Sequence, residues 1–381
     1  MSIKILATGD FQLDKTFGTL GEYAGAFREQ LMATFKHVML ESTKDHDIVL
    51  IAGDLFDRMG TPIHIIQEVA ETLAKCPITC VVLPGNHDPV ISGIPKALSE
   101  ALKAKNASHV HVALKREPIH FEALGMTLYP APLFRKDDIS NQYAWIPARE
   151  DGDGLRVALM HGALTTLPNG LIPEDVANQM DLDLVICGDQ HGPSSGDPEA
   201  SPLFNLETSK ARRLYYAMAP EAQNISQNFT GSVLSLEVDD AHAVMDASRI
   251  DVGVLRFVNG TVNFDVENGI EEQLAPFFEP YNEQQPGLVS LRLELTGEIT
   301  RDESVALQAQ LEDLGRQWPL LDLKNLVAVP QEDAELAGPE NPLQTMIQDA
   351  LHASDASEEL RAKVIELLPI IIGGATNAQK Y

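Results

Sequence analysis

Short apolar runs alternate with helix-period stretches through the first half of the chain. Ile3–Ala7, Ile48–Ala52, Thr79–Leu83, Val110–Leu114, Arg156–Met160 and Asp183–Cys187 each read as a buried strand. Between them, Phe27, Leu31, Phe35 and Val38 recur at helical spacing within Glu22–Ser42, and Ile63–Lys75 and Pro95–Lys105 carry the same period. Strands separated by helices imply parallel pairing and a layered α/β architecture. Beyond Gly188 the pattern changes. Residues 192–212 are rich in Pro, Ser, Gly and Glu and read as a surface loop, followed by β-like runs at Ser232–Val238, Val252–Val258 and Thr261–Val266. These are expected to be antiparallel strands completing the first domain.

Glu267–Pro286 holds Pro276, Pro280 and Pro286 in an acidic stretch and reads as a linker. A strand at Leu288–Leu295, a capping box at Thr300–Glu303, apolar positions 305, 307, 311 and 314, and a strand at Leu321–Val329 outline a small βαβ-like unit. An acidic second linker, Gln331–Asn341, precedes two helical patterns, one through Ile347 and Leu351 and one through Leu360, Val364, Leu367 and Leu368. The expected organisation is therefore a domain over 1–270, a small α/β unit over 285–330 and a helical segment over 341–373.

The chain has 381 residues, and 28 basic against 56 acidic residues leave a formal net charge of −28. Such a field repels free nucleic acid unless charge is segregated. A locally positive stretch does exist: Lys96, Lys103, Lys105, Lys115 and Arg116 surround His109, His111 and His120, with Glu100 and Glu117 the acids among them. Lys210, Arg212 and Arg213 stand before the Tyr215-Tyr216 pair. No apolar run approaches the roughly 18 residues of a membrane span, and the N-terminal run is too short for a secretory signal, so a cytoplasmic protein is expected. An odd count of three cysteines, Cys76, Cys80 and Cys187, argues against a disulfide framework and reads as core thiols.

Candidate chemistry lies at the strand ends. Gly9–Gln12 (GDFQ), Gly53–Asp57 (GDLFD), Gly85–Asp88 (GNHD), His161-Gly162 and Gly188–His191 (GDQH) each follow an apolar run. In open α/β sheets, sites form beyond the carboxyl ends of strands. The five turns gather Asp10, Gln12, Asp54, Asn86, His161, Asp189 and His191 on one edge. This oxygen and nitrogen set lacks sulfur and suits Mn²⁺, Fe²⁺ or Zn²⁺. Seven ligands exceed what one open catalytic ion needs, and they suit two ions sharing a carboxylate about 3.5–4 Å apart. Such a pair promotes in-line phosphoryl displacement, and His87 is placed to protonate the leaving oxygen or contact the phosphate.

GD-x-x-D, GNHD, a lone His after a strand and a final G-x-x-H, in this order, resemble the calcineurin-like metallophosphoesterases over about residues 1–240. The resemblance implies a layered sandwich of mixed sheets flanked by helices. It also implies that Asp10, Gln12, Asp54 and His191 hold the first ion. Asp54, Asn86, His161 and Asp189 would hold the second, with Asp54 bridging and His87 as the catalytic histidine. Gln12 stands where the family commonly has His in D-x-H, and Asp189 where it has His in G-H-x-H. Both exchanges move the site from nitrogen towards oxygen and favour Mn²⁺, with Fe²⁺, Zn²⁺ or Mg²⁺ as alternatives.

The long helix Phe27–Glu41 leading to IVLIAGDLFD, and the segment RRLYYAMAPEAQNISQNFTGSVLSLEV after the last histidine, resemble the SbcD/Mre-type DNA repair nucleases within the family. That resemblance implies an exonuclease or endonuclease acting on DNA ends or single strands, a capping domain at Leu288–Val329, and C-terminal helices docking on an SbcC/Rad-type SMC-like ATPase. It implies a homodimer. Two other readings remain: a small-molecule phosphodiesterase or phosphatase, which the acidic composition suits, and a catalytically weakened adaptor, which Gln12 suits.

Overall fold

The computed structural model describes residues 2–192, 213–227, 229–282, 284–318 and 321–329. A six-stranded sheet has the order β11-β10-β1-β2-β3-β4, from β1 (Ile3–Thr8), β2 (Ile48–Ile51), β3 (Thr79–Val82), β4 (Val110–Val112), β10 (Ser232–Val238) and β11 (Val244–Asp251). A five-stranded sheet has the order β5-β6-β7-β8-β9, from β5 (Ile119–Phe121), β6 (Met126–Pro130), β7 (Leu155–His161), β8 (Leu184–Gly188) and β9 (Leu214–Tyr216). β1 to β4 pair in parallel, as do β6 to β9, while β10 runs antiparallel to β1.

Side chains alternate across each strand, so one sheet serves two cores. From the six-stranded sheet, Ile5, Ile48, Leu50 and Val81 pack against Leu128, Val157, Leu159, Leu184 and Ile186 of the other sheet. Their neighbours Leu6, Val49, Ile51 and Val82 face outwards, onto α1 (Ala24–His37), α2 (Ile63–Ala74) and α3 (Ile94–Ala104). The far face of the five-stranded sheet packs Ala158, Met160 and Val185 against Val176 and Ala177 of the short α4 (Val176–Gln179). The mixed sheets flanked by helices match the expected fold class. Tyr215 joins the core between the sheets and Tyr216 the outer core. Cys76, Cys80 and Cys187 are free and buried.

A three-stranded sheet, β12-β13-β14, is built from β12 (Arg256–Phe264), β13 (Val289–Gly297) and β14 (Leu321–Asn325), all parallel. Here the sequence reading needs correction. The runs at 252–258 and 261–266 are not two antiparallel strands of the first domain but one strand of this small sheet. The break falls at Asn259-Gly260, a pair that favours a turn. Gly260 instead lies mid-strand because Phe277 packs on it, and an added Cβ would meet that ring at 2.3 Å. Phe277 comes from α5 (Ile270–Phe278), which forms where a linker was expected. Ile270, Leu274 and Phe278 recur every fourth residue and bury in the core of the small sheet, the helix lying against β12, and Pro276 sits near the helix end, where few bonds are lost.

Further along the chain, α6 (Arg301–Gln317) starts at the expected capping box: Thr300 Oγ1 accepts from Glu303 N, and Thr300 N donates to the Glu303 carboxylate. Phe257 of β12 leaves the small unit and inserts between Phe17 and Phe27, with ring centroids 6.4 and 5.5 Å away. The segment 341–373 and nearly all of the 192–212 loop lie outside the described residues. Among the described residues, no helix is long and apolar enough to cross a membrane.

Glu221 ties α1 to the backbone that enters β12. It is buried, accepts from Val254 N, Leu255 N and Thr34 Oγ1, and burial pushes its carboxyl up to about 7. The folded protein therefore holds this proton more tightly than the unfolded chain. The contribution to stability is full below about pH 4.5 and is lost as pH rises through 7, a change of about 3 kcal/mol. Glu221→Gln keeps the acceptor and the Thr34 contact. Denaturant midpoints measured from pH 5 to 8 are expected to fall less steeply in this variant than in the wild type.

Candidate metal centre

The seven sequence-selected ligands all follow strand carboxyl ends. Asp10 and Gln12 follow β1, Asp54 follows β2, and Asn86 follows β3 in the first sheet. His161 ends β7, and Asp189 and His191 follow β8 in the second. The centre thus straddles the seam between the two sheets. Asp10, Gln12, Asp54 and Asp189 have φ of 52, 47, 51 and 90°. Asp tolerates this left-handed region better than most residues, and for Gln12 it costs roughly 1 kcal/mol or more.

Three motif glycines exist because the ligands need their space. A Cβ on Gly53 would stand 2.2 Å from His161 Nδ1, one on Gly85 would stand 2.1 Å from Asp54 Oδ1, and one on Gly188 would stand 1.9 Å from the Ala52 carbonyl oxygen. Gly53 also has a φ of 95°.

Potential donor atoms of Asp10, Asp54 and His161 lie within 4.8 Å of one another, and all three residues are buried. His161 Nδ1 donates to the Ala52 carbonyl at 2.7 Å, which leaves Nε2 facing Asn86 Oδ1 at 2.7 Å, Asp54 Oδ2 at 3.4 Å and Asp189 Oδ1 at 3.9 Å. His191 Nε2 is 3.7 Å from Asp10 Oδ1, and Asp189 N donates to the Asp10 carboxylate. His87 reaches Asp54 twice, through its backbone N at 2.9 Å and its Nε2 at 3.9 Å. Six of the seven expected ligands therefore form one contact network. Gln12 is buried beside it, but its Oε1 accepts from Lys15 Nζ at 2.9 Å.

Electrostatics mark the same place. Burial raises the Asp10 carboxyl well above the usual range, and the neighbouring Asp54 and Asp189 charges add to this, while His161 opposes it. Burial also works against ionised Asp54, but the His161 charge wins and lowers it. Burial disfavours a charged His161, yet Asp54, Asp10 and Asp189 together raise its pKa well above the ordinary value. Burial lowers His191 to about 4, and raises Asp88 to about 7 with help from Asp54.

Two fully buried carboxylates thus converge on one imidazole, and without a cation the positive charge between them is a proton held by His161. Hard oxygens, two imidazoles and no thiolate fit divalent cations. Asp10, Asp54, Asn86, His161, Asp189 and His191 are the residues that would hold them.

Sequence reasoning missed the residues that hold the ligands. Lys15 bridges Gln12 and, at 3.4 Å, Asp57 Oδ1. Gln142 Nε2 donates to the His161 carbonyl, Gln223 Nε2 to that of Asp10, and Gln227 Nε2 to His191 Nδ1. Lys15 had a local signal, since it closes a turn on Gln12. The three glutamines act across 19 to 213 residues of chain and had none. Asp88 proves structural: its two oxygens accept from Gly85 N and Phe56 N and pin the second and third motif loops together.

Gly85→Ala places a methyl against Asp54 rather than against a flexible surface. It is expected to cost about 1–3 kcal/mol of stability. It should also weaken Mn²⁺ binding at least about tenfold. Calorimetric titration and thermal melts would check both.

A family model for calcineurin-like phosphoesterases matches residues 3–193, half of the 381-residue chain. Among solved structures, TT1561 of Thermus thermophilus is 12% identical with a TM-score of 0.40, and the match covers 66% of this chain and 100% of that one. The purple acid phosphatase PPD1 from yellow lupin seeds is 13% identical with a TM-score of 0.37, covering 66% of this chain and 54% of that one. No curated protein matches the sequence. The family uses a dinuclear divalent centre, and its members are metal-dependent hydrolases. The matched span contains every ligand of the network described above, and the chain belongs to the calcineurin-like phosphoesterases.

Proposed function

We propose that this protein is a Mn²⁺-dependent phosphodiesterase that acts on DNA as a nuclease, working in the cytoplasm with an SMC-like ATPase and as a homodimer. The observation that carries the hydrolytic part is the buried convergence of Asp10, Asp54 and His161 at the seam of the two sheets. Asp10, Asp54, Asn86, His161, Asp189 and His191 would hold divalent cations, which would supply positive charge for phosphoryl oxygens and lower the pKa of water so that hydroxide is available at neutral pH.

The chain's own residues do the rest. The Asp57 carbonyl accepts from His87 Nδ1 at 2.6 Å, so the ring is held with Nε2 turned towards Asp54. A proton carried at Nε2 is then positioned for the leaving alkoxide. The Asp57 carboxylate also lies 3.6 Å from Nδ1 and helps hold the ring in this orientation. Asn86 and Asp189 offer neutral and anionic oxygens on the His161 side, and the Ala52 carbonyl fixes the His161 tautomer.

An extended substrate is supported by a groove of about 990 Å³ that begins at Lys15 and Asp57 and runs between the 15–23 loop and the small sheet's Ser290, Arg292 and Asp322. A phosphate monoester would leave most of it empty. The ATPase contact is assigned to the 341–373 segment on its amphipathic pattern. The second reading, a small phosphodiester substrate, is favoured by the net charge of −28.

Purified protein with Mn²⁺ is to be tested on bis-p-nitrophenyl phosphate and on labelled linear single- and double-stranded DNA. The wild type should cleave both classes. His87→Ala should lose about 10²–10⁴-fold in rate while still binding Mn²⁺, and Asp54→Asn should lose binding and turnover together. Cleavage of the small ester with intact DNA, with and without the ATPase, would establish the second reading.

A further inference from the structure

The two halves of the centre differ in how their ligands are satisfied. On the His161 side, Ala52 takes the Nδ1 proton, and Nε2 faces three oxygens, from Asn86, Asp54 and Asp189. Among the described residues, no Lys or Arg forms an ion pair with these groups. Nothing but a cation or an extra proton reconciles them.

The other half is already occupied by the protein itself. Gln12 Oε1 accepts from the Lys15 ammonium at 2.9 Å, and Asp57 Oδ1 holds that ammonium from the far side at 3.4 Å. A cation coordinated by Gln12 would share one neutral oxygen with a positive charge. His191 is latched in a comparable way. Gln223 N donates to Gln227 Oε1 at 2.7 Å, which fixes the direction of that amide. Gln227 Nε2 therefore donates to His191 Nδ1 at 2.9 Å. The neutral ring then carries its hydrogen on Nε2, the atom turned to Asp10. Both ligands special to this half have their coordinating atoms committed elsewhere.

We propose that the centre is built unequal. The Asp54, Asn86, His161 and Asp189 half keeps a resident divalent ion, whereas the Asp10, Gln12 and His191 half takes an exchangeable ion that must displace the Lys15 and Gln227 latches. The groove lined by Lys15, Asp57 and Gln223 begins at the Lys15 latch of this half. The proposal rests on the reading of this cluster as a metal centre, and deepens it by naming which ion is regulated and by which side chains.

The test is Mn²⁺ titrated into the metal-stripped full-length chain, read by calorimetry and by the spin coupling of paired Mn²⁺ in electron paramagnetic resonance. The wild type should bind one ion tightly and a second at least about tenfold more weakly, in line with a nearby unit charge. Lys15→Met removes the charge at similar length, and Gln227→Glu supplies a carboxylate that draws the His191 hydrogen onto Nδ1 and frees Nε2. Each should tighten the second ion about tenfold and leave the first within about twofold. His191→Ala should remove only the second ion, and Asn86→Ala should weaken the first. Two equal ions in the wild type, or a second ion that neither Lys15→Met nor Gln227→Glu strengthens in a chain with normal melting, would overturn the proposal. Absence of any bound Mn²⁺ would overturn the metal-centre reading beneath it.

Discussion

Burying like charge is the constraint around which this molecule is arranged. Asp10 and Asp54 are taken almost wholly out of water, side by side, at the ends of two adjacent parallel strands. In a low-dielectric interior that arrangement is costly unless positive charge arrives. The protein supplies part of it with His161, reached across the seam, and with Lys15 at the rim. The remainder of the fold serves to keep the carboxylates from relaxing away: left-handed turns aim them, glycines let the loops close on one another, and Asp88 ties two of those loops by their backbone.

Much of this was written into the sequence in a form that local rules can read. A buried parallel strand announces itself as a continuous apolar run, and a Gly followed by Asp or Asn just after it marks a turn with a polar side chain thrown outwards. That combination picked out Asp10, Asp54, Asn86 and Asp189, while His161 was read as a histidine directly after an apolar run and His191 as the end of the GDQH turn, because each depends on residues within a few positions. Gln12 shows the limit. Its place in the motif was legible, but its partner was not, since whether an amide oxygen faces a cation site or an ammonium depends on how the turn to Lys15 closes.

The small unit was misread for a related reason. Asn259-Gly260 and Pro276 are strong punctuation locally, and both are overruled by a contact between them, Phe277 on Gly260. Glycine there is a packing feature of the sheet rather than a turn. The same strand sends Phe257 into the cluster of Phe17 and Phe27, beside the 15–23 loop, so the small sheet is anchored to the loop that carries Lys15. The element that shapes the groove and the residue that guards one half of the centre are therefore mechanically joined.

The hydrogen bond from His161 to the Ala52 carbonyl has a wider meaning. It is donated by the last residue of a strand in one sheet to the loop leaving a strand in the other, and Gly188 presses against the same carbonyl. The centre is thus a clasp between two halves of a sandwich as well as a reaction site. Whatever cohesion a cation adds at His161 is transmitted to the inter-sheet core, so its departure frees the two sheets to part first at this end. Amide hydrogens along the carboxyl ends of β2, β7 and β8 become gauges of occupancy, exchanging slowly while the clasp is shut and faster once it opens.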